Sequence, residues 1–315
     1  MLFRSAGAEA WLSKMLANRM PKPGRIVLTP MLNQNGKLIG DFTVARAAND
    51  RFFVFGSGPA EEYHMRWFEA HLPDRGVALR SLRPEMVGLS IAGPRARDLL
   101  QRLTHHDVST KSFPFLSFRE MELGMIPAKV GRMTFTGDLG YELWVTADYQ
   151  LALYELLLRE GAELGLGHFG GRAQNALRLE KSWGTWAREF RPIYGPFEAG
   201  LDRFVDLQKA DFIGRDAALK EKESGGKRRL VTLVVDAVTA DVIGDEPVWH
   251  DGKVQGWVTS GGYAHHVGKS IALAYVPAEL ARANSGFEIE ILGEKRAATI
   301  AAEPLFDPHG ERMRG

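Results

Sequence analysis

Between Arg25 and Ala45 the chain reads as two strands joined by Asn33-Gln34-Asn35-Gly36. Asn-Gly ahead of a strand supplies the left-handed backbone that a tight hairpin needs. Two antiparallel strands, 25–32 and 38–45, are therefore expected early in the fold. In the second, Leu38, Phe42 and Val44 fall on one face and Ile39, Thr43 and Ala45 on the other. Asp41 sits inside this apolar run, directly after Gly40. A carboxylate buried there is costly without a partner. It is either a group with a catalytic or ligand-binding task or one that closes a turn or caps a neighbouring loop.

The surrounding pattern is a mixture of strands and helices. A short amphipathic helix is expected over 8–18 (Trp11, Leu12, Met15, Leu16), broken by Met20-Pro21-Lys22-Pro23-Gly24. A third strand, 51–56, precedes a helix at 59–71 that opens on Pro59 and carries Glu61 and Glu62 in its first turn. Strand-like pieces at 76–81 and 86–92 lead into a helix from Gly93-Pro94 to about Leu103. Further strands are expected at 117–123, 126–130, 132–135 and 141–145, with helices at 147–162 (Leu151, Tyr154, Leu157 and Leu158 on one side), 172–183 and 217–222. The glycine-rich stretch 165–171 connects two of them. The regular alternation and Gly-rich turn of a nucleotide-binding doubly wound sheet are missing, so the fold class is α+β.

The charged segment 223–229 reads as a linker, and beyond it the chain is nearly all strand. Turns at Asp251-Gly252 and Gly261-Gly262, roughly ten residues apart, have the spacing of a small β-barrel or sandwich. Two domains are expected, 1–224 and 225–315.

Composition removes several function classes. With 40 basic and 39 acidic residues the formal net charge is +1, which gives no field for a nucleic-acid backbone or a membrane surface. There is no cysteine, so disulfides, thiolate metal sites and thiol nucleophiles are excluded. No apolar run approaches the ~20 residues that span a bilayer. The N-terminal Met-Leu-Phe-Arg-Ser-Ala-Gly is too short and broken for a signal peptide, so the expected location is cytoplasmic.

The adjacent pairs His105-His106 and His265-His266 point apart on a strand and lack an i, i+4 partner, which favours exposed turn histidines over a metal site. No Gly-x-Ser-x-Gly elbow or P-loop occurs. Thr136-Gly137-Asp138-Leu139-Gly140-Tyr141-Glu142 is more informative: a tight turn delivers Glu142 onto a strand among Tyr141, Leu143 and Trp144. A carboxylate held there can accept paired hydrogen bonds from an amino-pyrimidine edge such as that of a pterin. The competing reading is a salt bridge to Arg172, Arg178 or Lys181.

Six segments taken together, LTPMLNQNGKLIGDFTVAR, FTGDLGYELWV, RAQNALRLEKSWGTWAREFRP, FEAGLDRFVDLQKADFIGRDA, GWVTSGGYAHHVGKSIALAYV and AEPLFDPHGERMRG, resemble the tetrahydrofolate-binding aminomethyltransferase family, the glycine cleavage T-protein and its relatives. Within it the chain is most similar to the C-terminal, folate-binding half of dimethylglycine and sarcosine dehydrogenases. These have one aspartate before Thr-Val-Ala-Arg, matched by Asp41, where T-proteins have two; Gly40 stands at the first of that pair.

The resemblance implies a folate-binding domain of mixed antiparallel sheets and helices followed by a small C-terminal β-barrel. It implies trapping of a one-carbon unit from an N-methyl amine, as its iminium, to give methylene-tetrahydrofolate. Asp41 would be the catalytic carboxylate and Glu142 the grip on the pterin. Leu28 and Phe53 would line the pterin slot. Phe135 replaces a tyrosine found in many relatives, keeping the stacking face without the hydroxyl. Gln174 stands where T-proteins have an arginine, with Arg172 as the nearby substitute. Relatives begin several dozen residues before Trp11, so the chain reads as N-terminally truncated. FAD would belong to a missing N-terminal domain or to a flavoprotein partner. A free-standing tetrahydrofolate-dependent aminomethyl- or methyltransferase or demethylase, and a non-catalytic folate-binding module, are the alternatives.

Overall fold

In the computed structural model, which describes residues 1–283 and 286–315, the Asn-Gly hairpin forms as the sequence demands. The Asn33 side chain accepts from the backbone N–H groups of Asn35 and Lys37, each at 3.0 Å. Gly36 takes a left-handed φ of 71°. A Cβ on it would lie 2.9 Å from the Ala217 Cβ, so both its backbone angle and its neighbour require glycine. The strands run Ile26–Leu32 (β2) and Leu38–Ala48 (β3). With Leu2–Arg4 (β1), Arg51–Phe55 (β4) and Ala78–Arg80 (β5) they form a sheet of order β2-β3-β4-β1-β5. Helices Ala8–Met15 (α1) and Glu61–Ala70 (α2) are short.

A four-stranded sheet of order β6-β9-β8-β7 comprises Met86–Ala92 (β6), Phe118–Leu123 (β7), Ile126–Gly131 (β8) and Gly140–Thr146 (β9). Strict alternation on β9 sends Tyr141, Leu143 and Val145 into a core shared with helices Ala96–Leu103 (α3) and Gln150–Gly161 (α4). The opposite face carries Glu142 and Trp144.

Three sequence expectations are corrected here. Residues 132–135 are not a strand. β8 ends at Gly131, and the Arg132 guanidinium is fully buried, donating to the carbonyls of Phe113, Arg314 and Gly315. The Thr134 and Thr136 hydroxyls, 2.8 Å apart, take over backbone bonding in the loop that follows. On α4 the core-facing residues are Leu153, Leu157 and Gly161, whereas Leu151 is 65% exposed and Tyr154 points outward. The helix carries two overlapping apolar stripes, and helical spacing alone does not say which one meets the core. Gly261 and Gly262 lie within a long strand rather than at a turn. A Cβ on Gly261 would approach the Val242 carbonyl oxygen to 2.8 Å, so glycine here serves close packing.

The C-terminal strands Arg228–Val235 (β10), Pro247–His250 (β11), Lys253–Ala264 (β12), Lys269–Pro277 (β13), Phe287–Ile291 (β14) and Glu294–Ala301 (β15) close into an antiparallel barrel of order β10-β13-β12-β11-β14-β15. Its interior is aliphatic, built on Leu233, Val248, Val258, Ala274, Val276 and Ile289. The remaining helices are Gly171–Glu180 (α5), Arg215–Ser224 (α6) and Glu311–Arg314 (α7).

The chain forms two compact units: Met1–Thr29 with Phe42–Phe169 and His309–Gly315, and Pro30–Asp41 with Gly170–Pro308. In the second, Glu198 ties the entry to the barrel. Its carboxylate accepts from the N–H groups of Gly195, Lys227 and Arg228 and pairs with Lys37 at 3.2 Å. No helix among the described residues is long and apolar enough to cross a membrane.

Candidate functional site

Asp41 lies on β3 as expected, in the stretch of the hairpin that belongs to the barrel-containing unit. Its Oδ1 is buried with no hydrogen-bond partner among the described residues. Loss of water pushes its pKa up to about 6, against a smaller lowering by its own backbone N–H. Arg172, in the same unit, is exposed near the start of α5.

The other sequence-derived candidates fall in the first unit. Glu142 lies on β9, directly opposite Ser90 on β6 and Gly131 on β8. It has no hydrogen bond or ion pair among the described residues, and burial raises its pKa to about 7. Two of the three cations that could pair with it go elsewhere. Buried Arg178 pairs with buried Glu189 at 3.2 Å, and Lys181 pairs with Asp307 at 3.5 Å. The turn that delivers Glu142 requires its glycines: Gly137 has φ of 84°, and a Cβ on Gly140 would strike Thr134 and the Ile91 carbonyl at 2.9–3.0 Å.

Phe53 is only 3% exposed, in an aromatic cluster with Phe118 and Phe55, and Lys129 Nζ stands 5.3 Å over its ring. Leu28 is half-buried on β2, and its carbonyl accepts from the Asn18 amide at 2.8 Å. Phe135 is half-buried in the loop between β8 and β9. Phe53 packs on Phe55, which stacks on Trp144, two residues from Glu142 on the same face of β9.

Trp144 was not among the sequence candidates. Its ring is stacked on Phe55 with centroids 4.0 Å apart and planes 16° from parallel. The available signal was the two-residue spacing from Glu142, which puts both on one strand face. Among the described residues no group of His, Asp and Glu side chains is arranged to hold a metal ion. His105, His106, His265 and His266 are exposed.

Mixed sheets with lone strand carboxylates, followed by a closed antiparallel barrel, define an α+β class with a C-terminal barrel domain. Residues 2–209 match the GCVT N-terminal domain, and residues 228–307 match the glycine cleavage T-protein C-terminal barrel domain. The chain belongs to the glycine cleavage T-protein (aminomethyltransferase) family.

It is 38% identical over 297 residues to human mitochondrial dimethylglycine dehydrogenase, covering 93% of this chain and 34% of that protein. It thus spans about a third of that relative's length. It is 31% identical to mouse mitochondrial sarcosine dehydrogenase, covering 98% of this chain and 36% of the relative. With the aminomethyltransferase of Natranaerobius thermophilus it shares 30% identity, over 95% of this chain and 82% of the relative. The crystal structure of glycine cleavage system aminomethyltransferase T from Bartonella henselae has the same fold, with a TM-score of 0.88 over 98% of this chain and 83% of that one at 22% identity.

Proposed function

We propose that this chain binds tetrahydrofolate and transfers to it a one-carbon unit drawn from an N-methyl amine of the dimethylglycine or sarcosine type. The observation that carries the reading is a pair of strand carboxylates with unmet hydrogen-bonding capacity. Glu142 has no partner and Asp41 Oδ1 none, among the described residues. Stable folds rarely leave such groups unmet, and binding sites are where they persist.

Glu142 fits a pterin edge because two carboxylate oxygens match two adjacent N–H donors. The folate supplies a nucleophilic nitrogen when bound. Asp41, ionised above its raised pKa, offsets the positive charge of an iminium and accepts the proton that the attacking nitrogen loses. Leu28, Phe53 and Phe135 supply apolar contact to the pterin, and Arg172 is a further cofactor-binding residue. The flavin that oxidises the amine resides on a further domain or a flavoprotein partner, and the location is cytoplasmic.

The likeness to an aminomethyltransferase over 82% of its length supports a second reading, a free-standing aminomethyltransferase. Calorimetric titration with tetrahydrofolate tests the common core of both. Binding to the unaltered chain and its loss in Glu142→Ala are expected; no binding, or binding indifferent to the variant, refutes the assignment. Asp41→Asn is expected to keep folate affinity and lose capture of formaldehyde or iminium. Capture surviving that change removes Asp41 from the chemistry.

A further inference from the structure

The indole of Trp144 lies flat across three strands. Directly opposite it on β6 is Gly88, where a Cβ would come within 2.9 Å of the Trp144 Cδ1. On β8 the benzo end covers Gly131, where a Cβ would come within 3.0 Å of Cη2 and Cζ3. Only glycine leaves the sheet flat enough at both places. Phe55 closes the opposite face of the indole at 4.0 Å, and the Ile26 Cδ1 lies over Gly131. Both faces of the ring are thus covered by protein, so the ring is not itself a stacking platform for a ligand.

Gly131 is also the residue directly opposite Glu142. The place that a β8 side chain opposite Glu142 would ordinarily fill is taken by the Trp144 benzo ring. The charged groups on the packed elements are occupied. Lys129 on β8 leans over Phe53 and lies 3.8 Å from Glu120 of β7, which also pairs with Arg51 of β4. Arg25, beside β2, donates to the Ser117 hydroxyl and the Phe115 carbonyl. Ser90 is uncharged. On the Gly131 side of Glu142 the place of a side chain is taken by the indole and the Ile26 methyl, which are hydrocarbon.

We propose that Trp144, seated on Gly88 and Gly131 and capped by Phe55, is a positioning residue that screens one side of the Glu142 carboxylate from water and keeps it unpaired for a ligand carrying adjacent N–H donors. The wall itself is independent of the ligand; its use for a pterin rests on the function proposed above.

The test compares the unaltered chain with Trp144→Leu, Trp144→Phe and Gly131→Ala. The Glu142 carboxylate is followed by carbon NMR with labelled glutamate, its signal assigned by loss in Glu142→Gln. The midpoint near 7 is expected to fall by about one pH unit or more in Trp144→Leu and by less in Trp144→Phe. Gly131→Ala, which displaces the ring without removing it, moves the midpoint the same way. Tetrahydrofolate affinity follows: about tenfold tighter at pH 8 than at pH 6 in the unaltered chain, because the ligand needs the ionised form, and only about twofold or less in Trp144→Leu.

A merely structural tryptophan would weaken binding equally at both pH values and leave the midpoint in place; that result overturns the proposal. If Trp144→Leu does not fold, an unmoved midpoint in both Trp144→Phe and Gly131→Ala overturns it equally. No folate binding by the unaltered chain, with the midpoint still shifting in the variants, refutes the folate reading alone.

Discussion

Replacing Glu142 with glutamine should make the protein more stable in alkaline solution. Burial raises the Glu142 pKa from the ordinary 4.5 to about 7. Between those values the folded chain holds a proton that the unfolded chain has released, so stability falls as pH rises through the window. Below pH 4.5 both states are protonated and nothing is lost; above 7 the whole cost is present. At 1.36 kcal/mol per pH unit the displacement amounts to about 3 kcal/mol, an upper bound because the carboxylate keeps some contact with water. Glutamine keeps the shape without the charge, so Glu142→Gln should match the parent near pH 4 and exceed it by up to about 3 kcal/mol at pH 8 to 9. Urea denaturation of both proteins across that range measures the difference. Parallel stability curves would refute the claim that Glu142 sits unpaired and desolvated. Tetrahydrofolate at about 1,000 times its Kd should reverse the order at pH 8, since it adds about 4.1 kcal/mol to the parent and little to a variant that does not bind it.

Other substitutions probe the frame. Arg178→Met leaves Glu189 charged and buried, although Thr185 and Thr259 still donate to it, and should cost about 3–5 kcal/mol in chemical denaturation. Leu153→Ala should cost about 2–5 kcal/mol, whereas Leu151→Gln on the outer stripe of the same helix should stay within about 0.5 kcal/mol. Gly214→Ala combines φ of 83° with a Cβ only 2.4 Å from the Asn33 carbonyl oxygen. It should lower the thermal midpoint, with a loss of about 1–3 kcal/mol, by disturbing the hairpin that carries Asp41.

The elements that were legible in the sequence are those whose signal is local. Asn35-Gly36 specifies its turn by backbone chemistry, and the alternation on 38–45 and 141–145 specifies which side chains share a face. On α4, Leu157 belongs both to the expected stripe (Leu151, Tyr154, Leu157 and Leu158) and to the observed one (Leu153, Leu157 and Gly161); both satisfy helical spacing, and only packing against the sheet distinguishes them. Residues 132–135 look like a strand by composition, but the buried Arg132 and the two threonine hydroxyls satisfy the chain in another way. Gly261 looked like a turn because glycine has two uses, left-handed backbone and close approach, and a sequence does not say which is in force.

The same ambiguity makes Trp144 less legible in the sequence than Glu142. A carboxylate on an apolar strand stands out by itself, since its cost is a property of one residue. The seat of the indole is a property of three strands at once. Gly88 and Gly131 lie far from Trp144 in the chain, and each alone is an unremarked glycine in a strand. Only when register sets Gly88 beside Trp144 and Gly131 beside Glu142 do they become one device: flat backbone on both sides, a ring laid across it, and a carboxylate two residues along the same strand face. A fold that packs hydrocarbon against a charge it does not pair gives up stability at neutral pH, and the loss is recovered when something with N–H donors fills the gap. The stability measurement on Glu142→Gln and the titration shift in Trp144→Leu read opposite sides of that exchange, so agreement between them would tie the energetic cost of this strand to its use.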